Sequence, residues 1–555
     1  MYEREVDGEL FKRMMNCGLA ELKANIAEIN DLNVFPIPDG DTGDNMYSTL
    51  SGGVKALRGL EVSALGEAAS RAGSGMLMSA RGNSGVILSQ MFAGIAKGLE
   101  GTERADVSAF GRAFGEGVRF AYASVAEPVE GTMLTVMKDA AAYASGRIDS
   151  RSTPESFLED YVRETELSLG RTPELLPILK NSGVIDSGGA GVFHIARGFL
   201  KAVRGEEVFS VEEEGSAAVL PEEPQFALFN EDSVMEFGYC TEFLLQLTRA
   251  KTDVEAFSLE DFRAWLTAAG DSVAVVRTGT VVKVHVHTMK PGEILQYAQT
   301  YGEFLTLKIE NMTLQHNGRS EQRQNREELR KNPQRKHFGV VAVADGEGIS
   351  AAFRELGADI VLEGGPGRNP SVELFLKAFE AVNADCIFVL PDNSNIRMAA
   401  TEAASLYQTS EVRVLPTKNV GEGYAALSAL DCASGDAESV FKNMAAEVSR
   451  SASGTVARAT RSVLLDSVEV REGDYIGFVG KKMFVSGTDK VRTALALTEE
   501  LGAALREFII VFYGRDVTES ERHAYRRGVS EKFPDAEFYE TDGGQSVYDF
   551  VLVLQ

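Results

Sequence analysis

Two carboxylates lie two residues apart in Asp39-Gly40-Asp41-Thr42-Gly43, inside the run NVFPIPDGDTGDNM that spans positions 33–46. Hard oxygen ligands at that spacing suit Mg²⁺, which keeps several waters and binds phosphates beside one or two carboxylates. The glycines let backbone N–H groups approach a phosphate, and a helix starting behind them, through Asn45, favours negative charge. Pro36 and Pro38 stiffen the approach to the turn. The chemistry is that of a Mg²⁺–nucleotide site; for so short a motif the alternative is a solvated Asp-Gly turn.

Three further Gly-rich segments open helices. Gly82, Asn83, Ser84 and Gly85 precede the apolar run Val86-Ile87-Leu88, and free N–H groups there suit a phosphate or a ribose. Gly131-Thr132-Met133-Leu134 offers Thr132 as a helix cap, and Asp186-Ser187-Gly188-Gly189 is the third. Each alone is a common turn; three beside the Asp-Gly-Asp turn are less so. No GxxxxGK[ST] loop occurs, and no GxGxxG opens a βαβ unit, which argues against P-loop and Rossmann sites. Elsewhere, His285 and His287 are two residues apart on an expected strand and so point the same way, and Cys240 lies in another strand-like stretch. Two imidazoles and a thiolate suit Zn²⁺; ordinary strand histidines and a buried cysteine are the alternative.

The elements that must carry these residues fall into three blocks. Apolar positions at Leu10, Met14, Leu19, Leu22 and Ile26 repeat near the helical period, and helical stretches follow near 45–58, 61–79, 85–99, 106–126, 133–146, 153–170 and 188–204. Residues 1–205 are therefore expected to be all-helical, with a Glu- and Pro-rich linker from Gly205 to Gln225. Residues 226–315 mix strand patterns (Phe243–Leu247, Val273–Val276, Val281–His287) with helices at Leu259–Ala269 and Ile294–Tyr301, an α+β domain. The basic stretch Gly318–Lys336 reads as an exposed linker or solvated helix. Residues 338–555 alternate strands (Phe338–Val343, Ile360–Leu362, Cys386–Leu390, Val412–Leu415) with helices near 349–356, 371–382 and 394–408, which predicts a parallel α/β sheet. Two later strands are expected at Glu507–Tyr513 and Asp549–Leu554. Loops after these strands, at Asp345–Gly348, Gly364–Gly367 and Asp392–Asn395, stand where parallel sheets usually hold ligands.

A chain of 555 residues exceeds one core and implies about three domains. The net charge of −26 disfavours a non-specific grip on nucleic acid or anionic membranes. Four dispersed cysteines form no disulfide framework and fit a reducing cytosol, hence a cytoplasmic protein. Neither a signal peptide nor an apolar run of membrane-spanning length is expected.

The set NVFPIPDGDTGDNM, ARGNSGVILSQ, GTML and DSGGAG resembles the nucleotide-binding (L-type) domain of dihydroxyacetone kinases, and more closely the ATP-binding subunit of bacterial fatty acid kinases. FGYCTEF, VKVHVHT, LKIENM, PDNSNI and GGQSVY extend the likeness over nearly the whole chain. The resemblance implies a helical barrel whose loops at one end hold ATP and two Mg²⁺. Asp39 and Asp41 would be the catalytic metal carboxylates. Asn33 stands near the place of a third aspartate, and its amide oxygen would bind metal without charge. Thr42, Gly43, Asn45, Gly82, Asn83, Ser84, Gly85, Thr132, Met133 and Asp186 would line the nucleotide pocket. Asp44 replaces a small residue and would add a ligand or cap the helix. In the same pattern Cys240, His285 and His287 hold a metal, with Glu242 a fourth ligand or an orienter. The last block resembles the DegV-type fatty-acid-binding fold and is expected to dock a partner or form a homodimer.

The implied reaction is ATP-dependent phosphorylation of a fatty acid carboxylate, presented by a separate DegV-type carrier protein, to an acyl phosphate for phospholipid synthesis. A carboxylate is already anionic near pH 7 and needs no general base, whereas dihydroxyacetone must lose a proton. The alternatives are a kinase for dihydroxyacetone or another small polyol, and a nucleotide-binding scaffold without turnover.

Overall fold

The computed structural model describes residues 5–32, 40–59, 64–206, 239–254, 256–311, 335–365, 367–432, 435–480 and 482–555. Asn33 and Asp39, the linker from position 207 and the basic stretch up to position 334 lie outside the described residues. The chain divides into two compact units, one of residues 1–212 with 335–555 and one of residues 213–334.

Among the described residues of the first unit, ten helices precede the linker: α1 (Gly8–Ala24), α2 (Ile26–Asp31), α3 (Thr42–Ala56), α4 (Leu65–Ser79), α5 (Gly82–Gly98), α6 (Val107–Ala123), α7 (Met133–Gly146), α8 (Pro154–Leu175), α9 (Pro177–Ser182) and α10 (Ser187–Val203). A two-residue pairing of β1 (Glu5–Val6) with β2 (Ala105–Asp106) ties the start of this region to α6. Local signals set many of the helix starts. Asp7 accepts the Leu10 N–H at 3.0 Å to cap α1, and a Thr153/Ser156 capping box with Pro154 in the first turn starts α8.

The helices pack in a cycle. α1 lies on α3, α3 on α4, and so on through α5, α6, α7 and α8; α8 then meets α10, and α10 returns to α1. Bare glycines allow the close approaches: a Cβ on Gly52 of α3 would stand 2.5 Å from the Gly75 carbonyl of α4. Between α1 and α10 the Glu21 carboxylate receives Arg197 at 2.7 Å and Lys201 at 2.5 Å. One apolar core, including Leu10, Met14, Leu50, Phe110, Met137, Phe157 and Phe199, fills the interior.

The second unit is an antiparallel sheet in the order β4-β5-β3-β6, built from β3 (Tyr239–Leu247), β4 (Asp271–Thr278), β5 (Val281–Thr288) and β6 (Gly302–Asn311). Helices α11 (Leu259–Ala269) and α12 (Pro291–Gln299) cover it around Phe243, Val284, Phe262 and Ile294. Strand β6 is absent from the sequence expectation, because its apolar residues Leu305, Leu307 and Ile309 are exposed and alternate with other residues on an edge.

After position 335 the first unit resumes with a parallel four-stranded sheet in the order β10-β9-β7-β8, made of β7 (Lys336–Ala344), β8 (Ile360–Glu363), β9 (Ala384–Leu390) and β10 (Glu411–Val414). The intervening helices are α13 (Glu347–Glu355), α14 (Val372–Val382) and α15 (Ser394–Leu406). The rest departs from the expected parallel α/β pattern. Helices α16 (Val420–Ser428) and α17 (Ala437–Arg450) lead into a second sheet of six strands in which only the pair Phe508–Tyr513 and Glu537–Asp542 is parallel. Its strands Ala452–Arg458, Tyr475–Val479, Lys482–Gly487 and Tyr548–Leu554 pair antiparallel. No helix among the described residues is long and apolar enough to cross a membrane.

Candidate functional site

Alternation around the helical cycle brings the first turns of α3, α5, α7 and α10 together. The Ser187 hydroxyl at the start of α10 donates to the Thr42 hydroxyl at the start of α3, at 3.2 Å. The Asp186 carboxylate accepts the Gly189 N–H of its own helix at 2.7 Å and also the Met133 N–H that opens α7. Asp186, not Thr132, is thus the side-chain cap of α7; the Thr132 hydroxyl instead donates to the Val129 carbonyl at 2.7 Å. Four helix N-termini meeting there concentrate positive potential.

At α3 the cap position is Asp41, a buried residue whose side chain makes no capping hydrogen bond. The neighbouring Asn30 does that work: its Oδ1 accepts the Gly43 N–H at 2.8 Å and its Nδ2 donates to Asp44 at 2.7 Å. Asp44 is therefore an exposed partner of Asn30 and caps nothing. Asn45 is buried one turn into α3, against Gly82 of α5. Gly82 has φ of +58°, and a Cβ there would stand 2.5 Å from the Asn45 amide nitrogen. Gly85 is a close-packing glycine, since a Cβ there would collide with the Thr49 hydroxyl. Asn83 and Ser84 are half-buried on the same turn, and Asn83 reaches Asn395 at 3.5 Å. Gly82→Ala is expected to cost about 2 kcal/mol through left-handed strain and the displaced Asn45. A thermal melt checks this, with a matching loss of nucleotide binding.

The electrostatics set two carboxylates of this end apart from ordinary ones. Desolvation pushes Asp186 up to about 6, against the pull of its two N–H donors. Asp392, on the loop after β9, is 5% exposed and adopts φ of +52°, and its N–H donates to the Thr417 hydroxyl at 3.2 Å. Desolvation raises it well above the usual carboxylate range, with the Thr417 hydroxyl opposing and Glu422 assisting.

The loops after the parallel strands close over this end of the helical region. Asn369, after β8, donates from Nδ2 to Asp41 Oδ2 at 2.5 Å and to Asn45 Oδ1 at 3.3 Å. The Val372 N–H reaches the Ala80 carbonyl at 3.2 Å, and Ala80 and Val86 join the apolar core around Val343, Phe375 and Ile396. Between the two regions lies a cavity of about 570 Å³. Asp41, Thr42, Asp186 and Ser187 line one side, and Asp392, Asn395, Thr417 and Gln545 the other. Ile178, Val343, Ile396 and Phe478 give it apolar wall.

The expected residues are thus gathered in part. Asp41, Thr42, Gly43, Asn45, Gly82, Asn83, Ser84, Gly85, Met133 and Asp186 lie at one end of the helical cycle, whereas Asp39 and Asn33 are outside the described residues. A buried carboxylate beside an amide oxygen, a left-handed glycine and four helix N-termini is a donor set that fits a phosphate chain carrying a hard divalent cation. Sequence spacing does not reveal Asn30, Asn369 or Asp392. The loops holding the last two are visible in sequence after strands, but nothing local ties them to Asp41.

Cys240, His285 and His287 belong to the second compact unit. The β3–β5 register sets Cys240 opposite His287 and Glu242 opposite His285. The side chains of Cys240, Glu242 and His285 lie outside the described residues, and no cluster of three metal-ligating side chains occurs among the described ones.

Comparison with known proteins assigns each region. Residues 36–201 match the family model described as DAK2 domain. Residues 236–319 match the FakA-like middle domain of fatty acid kinase, and residues 339–555 its FakA-like C-terminal domain. Protein YloV of Bacillus subtilis (strain 168) is 37% identical over 560 residues, covering 99% of each chain. An uncharacterized protein of Staphylococcus aureus (strain USA300) is 35% identical over 553 residues, 99% of this chain and 100% of the relative. Among solved structures, the dihydroxyacetone kinase from C. freundii in complex with AMP-PNP and Mg²⁺ gives a TM-score of 0.32 at 11% identity, over 53% of this chain and 55% of that one. DegV, a fatty acid binding protein from Bacillus subtilis, gives 0.29 at 12% identity, over 40% of this chain and 99% of that one. Both structural likenesses are too weak to carry an argument. The family models and the full-length relatives agree: this chain belongs to the FakA-like family of fatty acid kinase proteins.

Proposed function

We propose that the protein transfers the γ-phosphoryl group of Mg·ATP to the carboxylate of a fatty acid, giving an acyl phosphate for phospholipid synthesis. The observation that carries this reading is the Asp41 carboxylate with the first turns of α3 and α10 at one side of an apolar-walled cavity, the starts of α5 and α7 packing against them. Phosphoryl transfer asks for positioning and charge neutralisation and for little covalent chemistry. Mg²⁺, when bound, would supply neutralisation of the charge developing on the phosphates.

The chain's own residues do the rest. Asp39 and Asp41 hold the cation, with Asn33 as an uncharged oxygen donor. The N–H groups at Gly82, Asn83 and Ser84 face the phosphates, and the Thr42 hydroxyl, Gly43, Asn45, Gly85, Thr132 and Met133 bound the nucleotide. Asp186 fixes the starts of α7 and α10 relative to each other. A carboxylate acceptor arrives already ionised and asks no general base of the cavity wall.

A long-chain acid is poorly soluble, so we assign its delivery to a separate fatty-acid-binding carrier protein. The helical cycle is read as the barrel of the L-type kinase domain, supported by the return of α10 to α1. In the middle region, Cys240, His285 and His287 are proposed to hold Zn²⁺, a reading supported by the register that opposes Cys240 to His287.

ATP consumption by the purified protein with Mg²⁺, oleate and a carrier, each omitted in turn, tests the function. Turnover that needs all three supports it. Turnover on dihydroxyacetone without a carrier, or nucleotide binding without any transfer, would replace it with a polyol kinase or a nucleotide-binding scaffold.

A further inference from the structure

Asn369 belongs to a region that the family models assign to the C-terminal domain, yet its side chain ends inside the helical region's turn, 328 positions away from Asp41 in sequence. It is 4% exposed. Its amide nitrogen is divided between Asp41 Oδ2 at 2.5 Å and Asn45 Oδ1 at 3.3 Å, and it packs 3.3 Å from where a Cβ on Gly82 would stand. Its amide oxygen is buried and has no hydrogen-bond partner among the described residues. A buried acceptor left without a donor is costly, and a water or a bound group beside it would satisfy it. The same region anchors Asn369 firmly: the Gly365 and Arg368 backbones bond to each other, and Val372 N–H bonds to Ala80.

We propose that Asn369 is a positioning residue of the metal–nucleotide site, so that the site is composite and is completed by the C-terminal region. The N–H donor fixes the plane of the Asp41 carboxylate and so its aim at a hard cation. The open amide oxygen of Asn369 accepts from a donor brought with the nucleotide, such as a metal-bound water. The helical region by itself, lacking Asn369, would keep its helix N-termini but hold Asp41 loosely. This inference rests on the reading of the Asp41 turn as a Mg²⁺–nucleotide site.

The test measures binding of a non-hydrolysable ATP analogue to the full chain, with and without Mg²⁺, by titration calorimetry. Asn369→Ala and the similarly sized Asn369→Leu are compared with wild type and with Arg461→Ala. Arg461 joins the two regions elsewhere, through the Asp31 carbonyl at 2.9 Å, and serves as a control for the interface itself. The expected result is a loss of about ten- to a hundredfold in Mg²⁺-dependent affinity for both Asn369 variants, the size of a lost hydrogen bond to a charged group. Mg²⁺-free affinity stays at the wild-type value in both, and Arg461→Ala changes neither. Equal affinities in wild type and Asn369 variants overturn the proposal. So does a parallel loss with and without Mg²⁺, which would make Asn369 merely structural. Tighter binding in the variants also overturns it, since the C-terminal region would then be obstructing the site. A wild-type chain that binds no Mg²⁺–nucleotide refutes the underlying site assignment, and this proposal with it.

Discussion

Asp41→Asn is expected to lower phosphoryl transfer by roughly a hundred- to a thousandfold while leaving the fold intact. The substitution preserves shape and removes the negative charge that a hard cation requires. The helix behind it survives because Asp41 gives α3 no side-chain cap; Asn30 supplies that bond through the Gly43 N–H. Asn369 still finds an oxygen to donate to. Unchanged thermal melting together with collapsed transfer would show that Asp41 serves chemistry and not folding. Full transfer in the variant would remove Asp41 from the metal site.

Asp186→Asn carries the second large effect, and it is expected to act in opposite directions on stability and on function. Desolvation raises the Asp186 carboxyl from its ordinary value of 3.8 to about 6 in the ligand-free protein. An acid whose folded-state pKa lies above its unfolded value binds its proton more tightly in the folded state. Its contribution to stability is therefore fully present below pH of about 4 and is lost as the pH rises through about 6. The loss amounts to about 3 kcal/mol at pH 8 on the scale of 1.36 kcal/mol per tenfold in proton affinity. Asparagine still caps helices well and carries no charge to desolvate. Denaturant titrations of Asp186→Asn should show a flatter pH dependence between 4 and 6 and a gain in stability at pH 8. Transfer should fall, because the carboxylate that clamps the Met133 and Gly189 N–H groups has been exchanged. A variant that loses stability at pH 8 would contradict the assignment of cost to the buried charge. Stability given up at a site that needs a particular charge is a common pattern in enzymes.

Much of this architecture is legible in the sequence because its signals are local. The helical period yields the helices of the N-terminal region, and Leu259–Ala269 and Met133–Gly146 fall where the apolar spacing puts them. The alternation of β and α after position 338 marks the four-stranded parallel sheet. Of the second sheet of the C-terminal region, the sequence shows the strands at Phe508–Tyr513 and Tyr548–Leu554 and misses the other four. A separate two-stranded hairpin, Val463–Leu465 with Val468–Val470, is also missed: it turns through Asp466 and Ser467, both at positive φ, where the usual marker is glycine or asparagine. Strand β6 is hidden by an exposed apolar face on a sheet edge.

In the site, the Gly-rich helix starts are readable one by one, but the reasons for them differ. Gly82 needs a left-handed backbone, whereas Gly85 needs room for Thr49. Thr132 looks like a cap by residue type, yet an aspartate from another helix takes that role, since a carboxylate outcompetes a hydroxyl for two N–H groups at once. Asn369 leaves no trace near Asp41 in sequence, because the pairing is made by tertiary packing alone.

The most direct test of the central claim is to trap the product. The protein is incubated with Mg·ATP, a carrier loaded with a long-chain fatty acid, and hydroxylamine, which converts an acyl phosphate to an acyl hydroxamate. The account predicts hydroxamate in step with ADP, none when the carrier-bound acid is omitted, and none with Asp41→Asn. ADP released with inorganic phosphate and no hydroxamate would contradict a carboxylate acceptor.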